Sequence, residues 1–287
     1  MKEQKLELKN VKSFNLEHIF ECGQCFRWNK NEDGSYTGVV GENVINIKKN
    51  GNDIVVKSYG KDNLNELFKI YFDMTRDYDE IKTKLRKIDE NMKNSISYGE
   101  GIRLLNQDLW ETIISFIISA NNNIPRIKGI IERISKRFGN KIEWEGIEYY
   151  TFPTPAQLGK ASVEDLRNLG LGFRDVRVYE TTQIVLNGDV DFNKLHKEKN
   201  TQVVREKLLT LPGVGPKVAD CILLFSTLKR LDVFPIDVWV RRVMNDLYIH
   251  KEDESKVDKK LVLNIANEKF GDLQGIAQQY LFYWKRG

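Results

Sequence analysis

Apolar residues change their spacing partway along this chain. Up to residue 60 they come in short β-favouring runs: Gly38-Val39-Val40, Asn43-Val44-Ile45-Asn46-Ile47 and Asp53-Ile54-Val55-Val56. The runs are parted by Gly41-Glu42 and Lys49-Asn50-Gly51-Asn52, with another turn at Glu32-Asp33-Gly34, so residues 1–60 read as strands of an antiparallel sheet. The period then becomes helical. Leu64/Leu67/Phe68/Tyr71 and Ile81/Leu85/Ile88/Met92 recur at i, i+3/i+4, i+7, which predicts two helices covering one face of the sheet. Beyond Tyr98 the chain is mostly helical, and Leu109 to Ala120 is apolar nearly all round, as befits a buried central helix. Asn121-Asn122-Asn123 suits a capped loop, and Pro125 opens the next helix. Thr154-Pro155 and Ser162 to Asp165 mark further helix starts, and Gly170 to Arg174 a helix-to-helix turn. A last helix runs from Leu273 to Trp284, with Gln278 and Phe282 four apart on one face. The fold class is α+β: an N-terminal antiparallel-sheet domain with flanking helices over 1–97, then a mostly α-helical region over 98–287.

Within the helical region, Leu211-Pro212-Gly213-Val214-Gly215-Pro216-Lys217 parts two apolar-periodic stretches. This predicts a helix-hairpin-helix over about 201–228. Pro212 cannot continue the first helix, the glycines permit left-handed or strained dihedrals, and Pro216 suits the first turn of the second helix. Such a hairpin turns helix-start N–H groups outwards, where they can hold an anion, and a phosphodiester is the obvious one. A lone GxG is most often an ordinary corner. Here Lys217 follows just inside the second helix, and Asp237 stands twenty residues on, at an N-cap position before Val238-Trp239-Val240. A lysine and a capping carboxylate around a phosphate-binding hairpin are parts for attacking a sugar carbon of DNA.

Composition changes this picture little. Lys and Arg number 45 against 41 Asp and Glu, a net charge of +4; a surface of both signs is compatible with a DNA-binding face without demanding one. With no 18-residue apolar run, signal peptide or lipidation motif, the expected location is the cytoplasm. Three cysteines argue against a disulfide scaffold. Cys22 and Cys25 form a CxxC, but a zinc site needs four ligands and none of the three histidines is well placed. The pair is taken as coincidence.

LPGVGPKVADC followed by PIDVWV resembles the helix-hairpin-helix DNA glycosylases with a lysine-bearing active site. Far upstream, Gly23-Gln24-Cys25-Phe26-Arg27-Trp28 is similar to the GQxFRW stretch of the 8-oxoguanine glycosylases. By the bare residues that stretch is equally a glycine turn entering an aromatic strand. The resemblance spans Gly23 to Phe282 and implies a bifunctional glycosylase and abasic-site lyase. Lys217 attacks C1′ of a flipped nucleotide, Asp237 stabilises the developing positive charge, and the resulting Schiff base permits strand cleavage by β-elimination. The resemblance further implies that the lesion stacks between Phe282 and Cys221, with Gln278 on its pairing edge and the Gly23 carbonyl at N7. By the same resemblance, Asn121, Arg126 and Arg174 are expected to face the base left on the other strand, beside Phe173 as the wedge. Backbone amides of Gly213, Gly215 and Val218 hold the phosphate. Phe173 departs from the familiar Tyr, and Trp239 from a His common in relatives. The expected partner is double-stranded DNA with oxidised guanine opposite cytosine, bound by a monomer that needs no cofactor. A related glycosylase for another damaged base, and a non-catalytic DNA-binding module, are the competing readings.

Overall fold

The computed structural model describes residues 1–287, apart from the side chain of Ser255. Five strands, β1 (Lys2–Leu8), β2 (Trp28–Lys30), β3 (Tyr36–Val40), β4 (Asn43–Asn50) and β5 (Asp53–Gly60), form an antiparallel sheet in the order β1-β5-β4-β3-β2. The turns fall where the glycines do: Gly41 and Gly51 take φ of 57° and 58°. Three apolar runs thus became β3, β4 and β5. The edge strand β1 carries Lys and Glu at alternate positions, a charged edge that resists pairing with other chains. The reading of residues 1–60 as strands fails at Leu16–Phe20, which is helical. Asn15 caps it, accepting from the amides of Glu17 and His18, and Leu16, Ile19 and Phe20 are buried.

Aromatic residues dominate the sheet-side core, where Phe20 stacks on Trp28 with centroids 4.2 Å apart and Phe14, Phe68 and Phe72 pack alongside. The Leu64–Tyr71 helix covers the sheet as its stripe predicts. The stripe Ile81/Leu85/Ile88/Met92, expected as one helix, is two, Tyr78–Arg86 and Glu90–Tyr98, parted where Asp89 caps the second, and neither covers the sheet. Their Ile81, Leu85, Met92 and Ile96 bury in the larger helical core, and the second of them packs on the C-terminal helix Gln274–Arg286. Periodicity gives the stripe of a helix but not the partner that covers it.

The centre of that larger core is the helix Leu109–Ser119, whose Ile113, Ile114, Ile117 and Ile118 are fully buried. It stops at Ala120 and Asn121, the latter left-handed at φ 51°. Asn123 then caps the helix Ile124–Phe138, accepting from the Arg126 amide at 3.0 Å. A small hairpin, β6 (Lys141–Trp144) and β7 (Ile147–Tyr150), interrupts the helical region; no run of apolar residues announces it. Among the described residues no helix is long and apolar enough to cross a membrane.

Candidate active site

The helices Thr201–Leu209 and Pro216–Phe225 flank the hairpin expected from Gly213 and Gly215. Only Gly213 is left-handed, at φ 86°. Gly215 is extended, at φ −89°, and a Cβ there would meet open space. Its value is therefore clearance rather than a special dihedral. Gly215 is also the N-cap of the Pro216–Phe225 helix, and no side chain caps that start. The first amides, including those of Lys217 and Val218, are left for an outside acceptor.

Lys217 sits on the first turn of this helix, its Nζ 5.5 Å from the centre of the Phe116 ring. Asp237 is the N-cap of the helix Val238–Met244, with a carboxylate oxygen accepting from the Val240 amide at 2.8 Å. Both line a cleft of about 590 Å³ shared with Gly23, Asn121, Val218 and Phe282. A deeper pocket of about 50 Å³ opens behind them, walled by Gly23, Phe116, Cys221, Gln278 and Phe282 as well as Lys217 and Asp237. Burial pushes the Cys221 thiol up to about 11, against the pull of the Lys217 ammonium beside it. The thiol is thus an apolar wall, not a nucleophile. Gln278 is buried with its side-chain carbonyl unpartnered among the described residues, an acceptor free for a ligand.

The Gly23 turn is shaped by three buried glutamines, of which the sequence motif contains only Gln24. Gln279 donates to the Cys22 carbonyl at 2.6 Å, and Gln107 to the Gln24 carbonyl at 2.7 Å. Gln24, fully buried, donates to the carbonyls of Ile19 and Arg103 and accepts from the Leu105 amide. Buried glutamines inside apolar segments look from sequence like misplaced polar residues; only the folded chain shows the amides they satisfy. Cys22 and Cys25 are both buried free thiols that donate to the carbonyls of Ile19 and Phe20. Burial pushes Cys22 up to about 12.

A second group borders the cleft. Phe173 is 56% exposed on the short 3-10 turn Gly172–Arg174. Arg126 reaches the Gly170 carbonyl at 3.4 Å. Arg174 is buried, donating to the carbonyls of Ala120, Asn121 and Leu171. Its guanidinium therefore props the asparagine turn. Trp239 stands half-exposed two residues after Asp237.

A glycine hairpin, an uncapped helix start, a lysine and a capping aspartate on one cleft define the class: base-excision glycosylases built on a helix-hairpin-helix. Two family models cover the chain in succession, "8-oxoguanine DNA glycosylase, N-terminal domain" over residues 6–113 and "HhH-GPD superfamily base excision DNA repair protein" over residues 114–267. The chain belongs to the HhH-GPD superfamily, in its 8-oxoguanine DNA glycosylase branch. It is 32% identical to a probable N-glycosylase/DNA lyase of Methanothermobacter thermautotrophicus, over 76% of this chain and 74% of that one. It is 28% identical to the N-glycosylase/DNA lyase OGG1 of Arabidopsis thaliana, over 92% of this chain and 75% of that one. The crystal structure of Clostridium acetobutylicum 8-oxoguanine glycosylase/lyase, bound to double-stranded DNA with cytosine opposite 8-oxoG, superposes with a TM-score of 0.92. Identity to it is 41%, covering 99% of this chain and 97% of that one.

Proposed function

We propose that this protein excises 8-oxoguanine from duplex DNA and cleaves the strand at the resulting site. The observation that carries the reading is one pocket, shared by Lys217, Asp237, Gly23, Cys221, Gln278 and Phe282. The neutral amine of Lys217 attacks C1′ as the bond from C1′ to the base breaks, and the base leaves with the electron pair. The lysine proton is lost, the sugar ring opens, and a C=N bond joins Lys217 to C1′. Removal of a C2′ proton then expels the 3′ phosphate, which is the β-elimination that nicks the strand. Asp237, lining the same pocket, is assigned to stabilise the positive charge growing on the sugar, and the helix start it caps favours its anionic form. The amides at Gly213, Gly215 and Val218 hold the neighbouring phosphate.

Guanine and 8-oxoguanine differ at N7, a bare acceptor in the first and an N–H in the second. A carbonyl at Gly23 accepts from the lesion and opposes guanine, and a buried unpaired acceptor costs about 1–3 kcal/mol, roughly ten- to hundredfold in discrimination. Opposite the lesion, the donors of Arg126 match the O2 and N3 acceptors of cytosine, with Asn121 beside them on the turn that Arg174 holds. A protein of this kind works in the cytoplasm, at the nucleoid in a prokaryote.

The test is incubation with duplexes carrying 8-oxoguanine, an alkylated purine or an oxidised pyrimidine, scoring base release and nicking separately with and without borohydride. Base release and a trapped adduct on 8-oxoguanine opposite cytosine are expected. Lys217→Gln should bind the lesion duplex but give neither product nor adduct. Equal trapping by this variant sinks the assignment of the nucleophile, and preferred release of another base sinks the substrate.

A further inference from the structure

Phe173 is held by two guanidinium groups. The Arg174 carbon Cζ lies 4.2 Å from the Phe173 ring centre and that of Arg177 lies 5.1 Å from it. Arg174 is tied to carbonyls. Arg177 is not: among the described residues its guanidinium has neither a hydrogen-bond acceptor nor a carboxylate partner. Its stem packs against the hairpin, where a Cβ at Gly213 would stand 2.9 Å from Arg177 Cδ and 3.3 Å from its Cβ. One turn further along the same helix, Thr181 donates to the Pro212 carbonyl at 3.1 Å. The helix Asp175–Leu186 is thus fastened to the phosphate-binding hairpin at two points and directly follows the turn that carries the wedge.

The local charge is unbalanced. Burial lowers the basicity of Arg174, and the like charges of Arg126 and Arg177 lower it further. Gathering such cations without a counterion is unfavourable in the free protein and favourable once an anion arrives. We propose that Arg177 positions the Phe173 wedge and takes a backbone phosphate of the bound duplex, so that hairpin and wedge engage DNA as one unit. This rests on the duplex-DNA reading above. The stem fixes where the cation stands, beside the hairpin, and the flat guanidinium braces the aromatic ring.

The experiment measures affinity for a duplex with a stable abasic analogue over a range of salt, together with single-turnover excision, for wild type, Arg177→Met and Arg177→Lys. Loss of one phosphate contact should lower the magnitude of the slope of log affinity against log salt by about 0.9 in the Met variant, while the Lys variant keeps the wild-type slope. Lysine lacks the flat group, so excision by both variants should fall roughly 2- to 5-fold. An Arg177→Met slope equal to that of wild type overturns the phosphate contact, and unchanged excision in both variants overturns the positioning role. A wild type without salt-dependent duplex binding overturns the duplex-DNA reading itself, which separates the two failures.

Discussion

Gly23 is held at φ 84°, and a Cβ there would stand 3.5 Å from Phe282 Cε1 and 3.3 Å from Arg286 Nη1. An alanine thus meets a backbone strain and a crowded pocket mouth together. Gly23→Ala should lower excision of 8-oxoguanine by at least about tenfold while duplex affinity falls much less. Binding to lesion-bearing and abasic duplexes separates the cases: equal losses on both make Gly23 a fold residue only. Asp237 holds two roles that one substitution can part. Asn accepts the same amide, so Asp237→Asn should shift stability by only a few tenths of a kcal/mol, that is, Tm by about 1 °C. Excision should nevertheless fall about a hundredfold or more, because the compensating negative charge is gone. A variant that excises at the wild-type rate would leave Asp237 as a cap alone.

At the scale of the element, the two hairpin glycines make opposite predictions. Gly213 is left-handed and crowded by Arg177, so Gly213→Ala should destabilise the protein by about 1–2 kcal/mol and weaken duplex binding. Gly215 is extended with open space at its Cβ position, so Gly215→Ala should leave the unfolding midpoint nearly unchanged. Its methyl group stands where a phosphate must approach the amides, and duplex affinity should drop. Thermal unfolding and duplex titration of the two variants check this; an unfolding shift in Gly215→Ala as large as in Gly213→Ala would refute it. The asparagine turn is propped by Arg174. Arg174→Ala should therefore blur the preference for cytosine opposite the lesion, and excision rates against each of the four opposite bases measure that.

Across the whole molecule, the two cores meet at a weakly paired charge. Arg27, from the GQCFRW stretch, reaches the Tyr150 carbonyl and stands 3.8 Å from Glu111 on the central helix. Burial dominates over that pairing and pushes the Glu111 carboxyl up to about 7. Asp220, buried beside Arg205 in the hairpin, is likewise pushed up to about 7 by burial. A carboxyl with a folded pKa above its unfolded value holds its proton longer when folded, so stability falls as pH rises from about 4.5 to 7 and levels off above. Relative to Glu111→Gln, the wild type should lose roughly 1–3 kcal/mol across that window. Denaturant unfolding of both proteins at pH 4.5 and 7.5 tests this, and a constant difference between them would show that Glu111 does not titrate there.

What the amino-acid sequence determined by itself was local. Glycines and prolines set the hairpin, Asn and Asp residues capped helices where they preceded apolar periods, and β-favouring runs became β3, β4 and β5. These depend on dihedral preference and on hydrogen bonds within a few residues, so they survive in any fold. The family resemblance was legible for the same reason, since its motifs are short and contiguous. Tertiary structure alone decided which surface covers each stripe. It sent Ile81 and Met92 to the helical core rather than to the sheet, and made a helix of Leu16–Phe20 in a strand-rich segment. It also set Gln279 behind Gly23, buried Arg174 on the asparagine turn, and brought Arg177 between wedge and hairpin. Contacts between residues far apart in the chain depend on how whole elements pack, and no short window of sequence contains that information.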